Sequence, residues 1–294
     1  MLFALLIIGD LNLKRKLDIV VISDVHLGTY GCNATKLLNY LNSIDPKHLI
    51  LNGDIIDIWQ FKKRYFPKAH LKVIKKIMNL AANGTQVTYI TGNHDEMLRK
   101  FTGTEIGNIS IVNKLLLDLD GKKAWFFHGD VFDVSIQKAK WIAKLGGWGY
   151  DMLIVINRGV NWYLQRRGKE RYSFSQKIKN NIKTAVKFIS DFEKTASDLA
   201  IANNYDYVVC GHIHQPSIEV KTNSKGSTTY LNSGDWIENF TALEYRLKRW
   251  KLYNYSNDKL IPFIPDEELK DMNVKDLIAA ITIVEQPDKD EALN

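Results

Sequence analysis

Five short fragments of the sequence combine acidic, histidine and asparagine side chains with small residues, and each of them follows an apolar run. The fragments are SDVHLG (Asp24, His26), NGDIID (Asp54, Asp57), GNHD (Asn93, His94, Asp95), FFHGD (His128, Asp130) and CGHIHQP (His212, His214). Loops at the carboxyl ends of the strands of an open α/β sheet converge on one crevice. We therefore expect the five fragments to meet at one point in space.

Oxygen and imidazole ligands without thiolates suit divalent metals of borderline hardness, such as Mn²⁺, Fe²⁺ or Zn²⁺. Two such cations, about 3.5–4 Å apart, need an anion between them, and a carboxylate can bridge where an imidazole cannot. Side chains alternate along a strand, so Asp24 and His26 can face one ion, and so can His212 and His214. Singly, a GD pair is typical of a turn and a lone histidine of a structural hydrogen bond. The combination favours a site for two metals.

Three further acidic residues have a less specific setting. Asp57, Asp130 and Asp235 each lie within or next to a polar fragment. Each could orient a ligand histidine or a loop, and each could equally cap a helix or form a turn.

Alternating strand and helix patterns surround the first three fragments. LDIVVISD (17–24), KHLILNGD (47–54) and TQVTYITGNHD (85–95) predict buried strands, with helices predicted between them at 35–44 and 69–84. Strand, helix, strand, helix, strand predicts a parallel sheet. Later strand patterns, several of them joined by turns that contain glycine, predict a mixed second sheet; they lie at 108–112, 114–130, 205–216, 227–235 and 240–255.

The domain organisation follows from changes in pattern and charge. We expect an N-terminal extension at 1–16, an α/β domain at 17–264 with a helical insertion at 134–203, and an acidic C-terminal helix and tail at 265–294. The apolar run Leu2–Ile8 is much shorter than the about 20 residues of a membrane span. The basic residues follow this run instead of preceding it, which is unlike a signal peptide. We interpret 1–16 as an extension or a misassigned start, with a peripheral anchor as the alternative.

Charge is unevenly distributed along the chain. The net charge is +7, yet 266–294 has nine acidic and three basic residues. The insertion has thirteen basic and five acidic residues and several aromatic ones. A basic surface attracts phosphates, nucleic acid or anionic lipid, although an ordinary solvated helical subdomain has the same composition. Two cysteines provide no disulfide framework and are typical of a reducing cytoplasm.

The ordered fragments D-x-H, G-D-x-x-D, G-N-H-D, H-G and G-H-x-H resemble those of the calcineurin-like metallophosphoesterases over residues 18 to about 245. The resemblance implies a four-layer α/β/β/α sandwich and two divalent ions, Mn²⁺ foremost. One ion would be held by Asp24, His26, Asp54 and His214, and the other by Asp54, Asn93, His128 and His212, with Asp54 as the bridge. His94 would serve the leaving group as a catalytic residue, and we expect Asp95 to orient it.

A narrower resemblance is to the UDP-2,3-diacylglucosamine hydrolases of lipid A biosynthesis, which are peripheral membrane proteins with a helical insertion between the H-G and G-H-x-H motifs. It implies cleavage of a pyrophosphate to UMP and 2,3-diacylglucosamine 1-phosphate, in the cytoplasm at the inner membrane surface, and no protein partner is inferred. Five residues of the insertion become candidates for phosphate or membrane contact: Arg158, Arg166, Arg167, Lys169 and Arg171. The best-known branch of these hydrolases has a motif that resembles G-N-R-D, and this chain has His94 in place of the arginine. Arginine is always a cation and histidine can donate a proton.

Two other functions remain as alternatives. A soluble phosphodiesterase or nuclease would keep the chemistry and use the basic charge for nucleic acid, although the sequence contains no recognised nucleic-acid module. A catalytically dead binding module is disfavoured because every expected metal ligand is present.

Overall fold

The computed structural model describes residues 14–58, 65–132 and 183–258. Within these ranges the chain forms two β-sheets with helices on their outer faces. The strands are β1 (Arg15–Ile22), β2 (Ile44–Asn52), β3 (Gln86–Ile90), β4 (Glu105–Ile106), β5 (Ile109–Val112), β6 (Leu115–Leu119), β7 (Lys122–Phe126), β8 (Tyr207–Cys210), β9 (Ser217–Asn223), β10 (Gly226–Asn232), β11 (Thr241–Arg246) and β12 (Arg249–Asn254). The α-helices are α1 (Ala34–Asn42), α2 (Lys68–Ala82) and α3 (Lys183–Ala202), and 3₁₀ turns lie at Glu96–Phe101 and Tyr255–Asn257.

The first sheet has seven strands in the order β12-β11-β1-β2-β3-β5-β4. Strands β1, β2 and β3 are parallel, as the alternating sequence pattern predicts, and β5 pairs parallel with β3. One expectation is wrong: β5, β11 and β12 belong to this sheet and not to the second one. Strand β11 pairs antiparallel with β1 across more than 200 residues of sequence. Which sheet a strand joins depends on such long-range pairing, which local periodicity does not encode.

The second sheet has five strands in the order β6-β7-β8-β10-β9. It is mixed, as predicted: β7, β8 and β10 are parallel neighbours, and the two edge strands run antiparallel. Strand β9 is absent from the sequence-based prediction. Most of its residues are exposed or half-buried, so it lacks the apolar alternation by which strands are recognised.

Three apolar cores separate four layers. The first lies between the seven-stranded sheet and helices α1 and α2. The second fills the space between the two sheets, and the third packs the five-stranded sheet against α3. The order of layers is thus α/β/β/α, which confirms the expected architecture. Strand β8 is buried along its whole length, and β1 is apolar and buried over its last four residues, because both faces of each strand are covered there.

Strand β1 begins at Arg15, two residues before the start expected from the sequence. The guanidinium of Arg15 lies 3.3 Å from the buried carboxylate of Glu244 and 4.8 Å from the centre of the Tyr253 ring. Part of the segment interpreted as an extension therefore contacts β11 and β12. Residues 1–13 and 259–294 lie outside the described ranges.

Helix α3 occupies the C-terminal end of the segment 134–203, for which the sequence predicts helices. Residues 133–182 lie outside the described ranges, and all five of the basic contact candidates are among them. No helix in the described part of the chain is long and apolar enough to cross a bilayer.

Candidate metal centre

The five polar fragments follow β1, β2, β3, β7 and β8 at the carboxyl ends of these strands. The first three strands belong to one sheet and the last two to the other, so the site lies where the two sheets meet. Backbone hydrogen bonds join the loops directly. The N–H of Asp24 donates to Gly53 O at 3.1 Å, and the N–H of Gly211 donates to His128 O at 3.0 Å. The loops therefore form one connected structure.

Three groups of side chains place possible ligand atoms within 4.8 Å of one another. The first contains Asp24, His26 and His214, and the second contains Asp54, His128 and His212. The third contains His26, Asp54 and His94. Asp54 occurs in two of these groups, which is the position that a bridging carboxylate would need. Asn93 adds a buried amide oxygen at the same place.

Four buried polar atoms at this site make no hydrogen bond within the described part of the chain: Asp24 Oδ1, His26 Nε2, Asn93 Oδ1 and His128 Nε2. A buried polar atom without a partner costs about 1–3 kcal/mol. All four atoms carry lone pairs that can bind a cation. Oxygen and nitrogen donors in this combination suit Mn²⁺, Fe²⁺ or Zn²⁺, so the residues present fit the expected metal ions.

A backbone contact selects the tautomer of the neutral His128 imidazole that a metal ligand needs. Its Nδ1 lies 2.9 Å from the backbone oxygen of Asn52, and because a carbonyl only accepts, Nδ1 must carry a proton. In the neutral ring this leaves a lone pair on Nε2, which lies 3.2 Å from Asp54 Oδ2. Two acceptors that face each other repel unless a proton or a metal ion lies between them. The carbonyl of Asn52 therefore directs Nε2 towards a shared cation.

Five of the seven candidate ligands have a left-handed backbone conformation, with φ between 52° and 67°: Asp24, His26, Asp54, His212 and His214. This conformation is unfavourable for a residue with a Cβ atom and persists only where surrounding contacts enforce it. Strain of this kind concentrates at functional sites. The strain supports the interpretation that a functional requirement, and not packing, sets the direction of these side chains.

Gly92 allows the third loop to approach the second very closely. A Cβ atom at this position would clash with Asp54 Oδ1 and would lie 2.7 Å from Asp54 N and 2.9 Å from His128 Cδ2. Any larger residue here would displace the carboxylate that two of the donor groups share.

His94 is held by Asp57 and not by Asp95. Its Nδ1 lies 2.9 Å from Asp57 Oδ2, and its backbone N–H donates to Asp54 Oδ1 at 2.9 Å. The carboxylate of Asp95 instead accepts from the N–H groups of Ile55 and Gly92 and from the hydroxyl of Tyr89.

The expectation that Asp95 orients His94 is therefore wrong. Asp95 precedes a 3₁₀ turn, and its side chain turns back under the loop, where it joins two loops instead of reaching the adjacent imidazole. Asp57 comes from the loop after the neighbouring strand β2 and was among the less specific acidic candidates.

The sequence agrees with this geometry, because the family model of the calcineurin-like phosphoesterases matches residues 17–216. The chain belongs to this family. It is a metallophosphoesterase, and therefore a hydrolase that works with divalent metal ions.

Relatives of known name match this metallophosphoesterase over most of its length. A UDP-2,3-diacylglucosamine hydrolase of Aliivibrio fischeri is 25% identical over 243 residues, which cover 81% of this chain and 98% of the relative. The enzyme of the same name from Blochmanniella pennsylvanica is 27% identical over 79% of this chain and 93% of its own. Among solved structures, the phosphoesterase Yfce of E. coli is 12% identical, with a TM-score of 0.42, over 84% of this chain and 98% of its own.

The buried charges of the metallophosphoesterase site act on one another. Burial opposes the ionisation of Asp24, but His214 and His128 outweigh it and lower the pKa of Asp24 to about 2. The pKa of Asp54 also lies well below its usual range, because His128, His26 and His94 outweigh its burial. In turn, Asp54 overcomes the burial of His128 and raises the pKa of that imidazole to about 10. Both carboxylates are anions at neutral pH, and bound cations would release protons from the imidazoles.

His94 is more accessible than His26 and His128, which also lie close to Asp54. Its side chain is 38% exposed, whereas that of His128 is fully buried. Burial lowers the pKa of His94, but the hydrogen bond to Asp57 and the charge of Asp54 outweigh this and raise the pKa to about 9. A cation next to Asp54 would oppose part of this rise. His94 is thus placed to meet a substrate while holding a proton.

The remaining acidic candidates hold loops. Asp235 accepts three backbone N–H groups of the turn at 237–239, and its Oδ2 lies 3.6 Å from His214 Nδ1. Asp130 pairs with Arg99, which also donates to the carbonyl of Gly92 at 3.3 Å. Arg99 thereby joins the third and fourth fragments. The sequence alone does not reveal this role, because nothing in a single arginine outside the motifs indicates which loops it will contact.

Proposed function

We propose that this metallophosphoesterase cleaves the pyrophosphate of UDP-2,3-diacylglucosamine with water, yielding UMP and 2,3-diacylglucosamine 1-phosphate. The observation that carries the chemistry is the cluster of three neighbouring donor groups, two of which contain the buried carboxylate of Asp54. The observation that favours this substrate is the similarity to hydrolases of that name over about four fifths of the chain.

The ligand assignment of this proposal is one ion at Asp24, His26, Asp54 and His214, and a second at Asp54, Asn93, His128 and His212. Two divalent ions, with Mn²⁺ as the first candidate and Fe²⁺ or Zn²⁺ as alternatives, would polarise a phosphoryl oxygen and lower the pKa of a water molecule there. The buried, ionised carboxylates supply the negative charge that such ions require.

The residues of the chain would handle the leaving group. As the bond from phosphorus to the bridging oxygen breaks, negative charge grows on that oxygen. His94 would donate a proton or a charged hydrogen bond to it, and Asp57 would hold the imidazole and stabilise its cationic form. An imidazole placed in this way serves phosphoester hydrolysis whatever the identity of the alcohol or phosphate that leaves.

The composition of residues 134–203 bears on the lipid substrate. The segment has thirteen basic and five acidic side chains together with several aromatic ones, which suits an anionic, amphiphilic ligand. We propose that this segment contacts the nucleotide-linked lipid, with Arg158, Arg166, Arg167, Lys169 and Arg171 as candidates for phosphate or membrane contact, although all five lie outside the described residues.

A panel of substrates with Mn²⁺ tests the proposal directly. The panel contains UDP-2,3-diacylglucosamine, an artificial phosphodiester, cyclic nucleotides and single-stranded DNA. We expect the release of UMP from the lipid to have the highest kcat/KM. Rapid cutting of DNA without release of UMP would reject the lipid substrate and favour the nuclease alternative. The observation that favours this alternative is His94, which stands where the best-known diacylglucosamine hydrolases resemble G-N-R-D.

Asp54→Asn tests the chemistry independently of the substrate. The variant lacks the shared anion, so hydrolysis of every active substrate should fall to background, and the increase in melting temperature on addition of Mn²⁺ should be lost. Asp18→Asn is the matched control, because Asp18 is an exposed aspartate that pairs with Lys47 away from the metal centre. Normal turnover by Asp54→Asn would contradict the mechanism.

We further propose that the chain works in the cytoplasm and associates peripherally with the inner membrane. The support is the water-insoluble part of the proposed substrate and the basic composition of 134–203. Sedimentation with vesicles that contain anionic lipid, compared with neutral vesicles, measures the association. Equal recovery with the two kinds of vesicle would contradict it.

A further inference from the structure

His70 is a fully buried histidine in the first turn of α2, outside the five polar fragments. Its Nδ1 lies 2.9 Å from the backbone nitrogen of Gly28. Gly28 is two residues after the candidate ligand His26 and ends the first polar fragment. A backbone N–H can only donate, so Nδ1 of His70 must carry the lone pair and the proton must be on Nε2.

The hydrogen bond completes the anchoring of the first metal loop. The N–H groups of Val25 and His26 donate to Asp54 O, and that of Leu27 donates to Ile55 O, each at 2.9 Å. These three contacts come from the loop after β2. The N–H of Gly28 is the next in sequence, and the side chain of His70 accepts it.

His26 needs such anchoring because its own backbone is strained. It has φ of 53°, and Gly28 has φ of 106°, a value that favours glycine. The direction of the His26 imidazole follows this backbone. Loss of the contact at Gly28 would leave a buried N–H unpaired and would allow the loop to relax towards a more favourable conformation.

The ring of His70 is itself held by its neighbours. Tyr65 and Phe66 pack against it edge to face, at centroid distances of 5.9 and 5.4 Å. The ring of Phe66 also lies along Gly28, 3.7 Å from the position of a Cβ atom there. The acceptor therefore has a defined position relative to the loop.

We propose that His70 is a positioning residue of the metal centre, which fixes the backbone of the His26 loop through Gly28 and thereby sets the affinity for the cation held by Asp24, His26 and His214. This role rests on the proposed metal site and adds a residue from α2 to it. Removal of a residue that holds a metal ligand in place typically lowers metal affinity or activity by about 10- to 100-fold.

The test compares three variants by calorimetric titration of the full chain with Mn²⁺, together with turnover of an artificial phosphodiester. His70→Phe keeps a ring between Tyr65 and Phe66 but removes the acceptor. His70→Asn places an amide oxygen close to the position of Nδ1. His48→Phe is the control, because His48 is a second buried histidine, bonded to Thr88, away from the polar fragments.

We expect His70→Phe to weaken one of two Mn²⁺ sites by about tenfold or more and to leave the other close to wild type. His70→Asn should recover most of that loss, and His48→Phe should bind Mn²⁺ like the wild type even if it melts earlier. If His70→Phe does not fold, His70→Gln replaces it, since its amide oxygen lies beyond the position of Nδ1.

Three results would overturn the proposal. They are two intact Mn²⁺ sites in His70→Phe, an equal loss in His70→Asn, or the same loss in the His48 control. Absence of Mn²⁺ binding by the wild-type chain would reject the metal centre as well. The first three results leave the proposed hydrolase intact, so the two failures are distinguishable.

Discussion

The assignment of Asp57 and Asp95 to different tasks makes a sharp prediction for two aspartate-to-asparagine variants. Asp57 holds the imidazole of His94 at 2.9 Å, so Asp57→Asn removes the anion that stabilises the cationic ring. A hydrogen bond to a charged group contributes about 1.5–3 kcal/mol, and 1.36 kcal/mol is tenfold in rate. We expect kcat to fall by about 10- to 150-fold, with KM nearly unchanged.

Asp95→Asn should act on stability instead. The carboxylate accepts from two backbone N–H groups and one hydroxyl, and an asparagine amide nitrogen cannot accept. One buried donor left without a partner costs about 1–3 kcal/mol. For a chain of this size 1 kcal/mol lowers Tm by about 2–4 °C, so a cost of about 1–3 kcal/mol should lower Tm by about 2–12 °C.

The assay measures kcat and KM on the artificial phosphodiester and Tm by calorimetry, for both variants with saturating Mn²⁺. Diesters with increasingly basic leaving groups add a second readout. The loss in Asp57→Asn should grow along this series, because a proton donor matters more when the leaving oxygen is more basic. A wild-type kcat in Asp57→Asn would refute the assignment. So would an equal loss of kcat in Asp95→Asn at unchanged Tm.

Three other changes have defined outcomes. Gly92→Ala places a Cβ atom against the Asp54 carboxylate, so Mn²⁺ affinity measured by titration should fall at least about tenfold, and unchanged affinity would contradict the close approach. Burial lowers the pKa of His48 to about 4, below its unfolded value, so the unfolded chain binds the proton first and stability is lost as pH falls from about 6.5 towards 4. Urea unfolding at pH 7.5 and pH 5 measures the loss of unfolding free energy between these pH values, which should be about 2 kcal/mol smaller in His48→Gln than in the wild type. An equal loss in the two proteins would contradict the role of His48. Arg15→Ala should lower the free energy of unfolding by about 1–3 kcal/mol, because buried Glu244 loses its cationic partner and keeps only the hydrogen bond from the Tyr40 hydroxyl. Glu244→Gln in the same background should restore part of this free energy if the ion pair is the cause.

The convergence of the polar fragments could be predicted because it depends on two local properties. Apolar β-branched runs mark strands, and the polar residues follow directly after them. Parallel strands bring their carboxyl ends to one edge whatever their order in the sheet. The three strands that precede Asp24, Asp54 and Asn93 therefore had to deliver these residues to one place.

The contacts of individual side chains could not be predicted in the same way. Asp95 is adjacent to His94 in sequence, yet its carboxylate turns away from the imidazole and accepts from the Tyr89 hydroxyl and the N–H of Gly92. Asp57 reaches His94 from the loop after the neighbouring strand β2. Likewise, Arg15 looks like part of a basic extension until β11 brings Glu244 beside it.

The sequence by itself determined the set of candidate ligands and the resemblance to the family, because motif order and periodicity are properties of short segments, and the resemblance in turn implied the four-layer class of fold. Only the tertiary structure decided which sheet β5, β11 and β12 join, which carboxylate holds His94, and that His70 supports the first metal loop. These decisions depend on pairings between residues far apart in the chain. Their energies come from burial and hydrogen-bond geometry, which exist only once the layers have packed together.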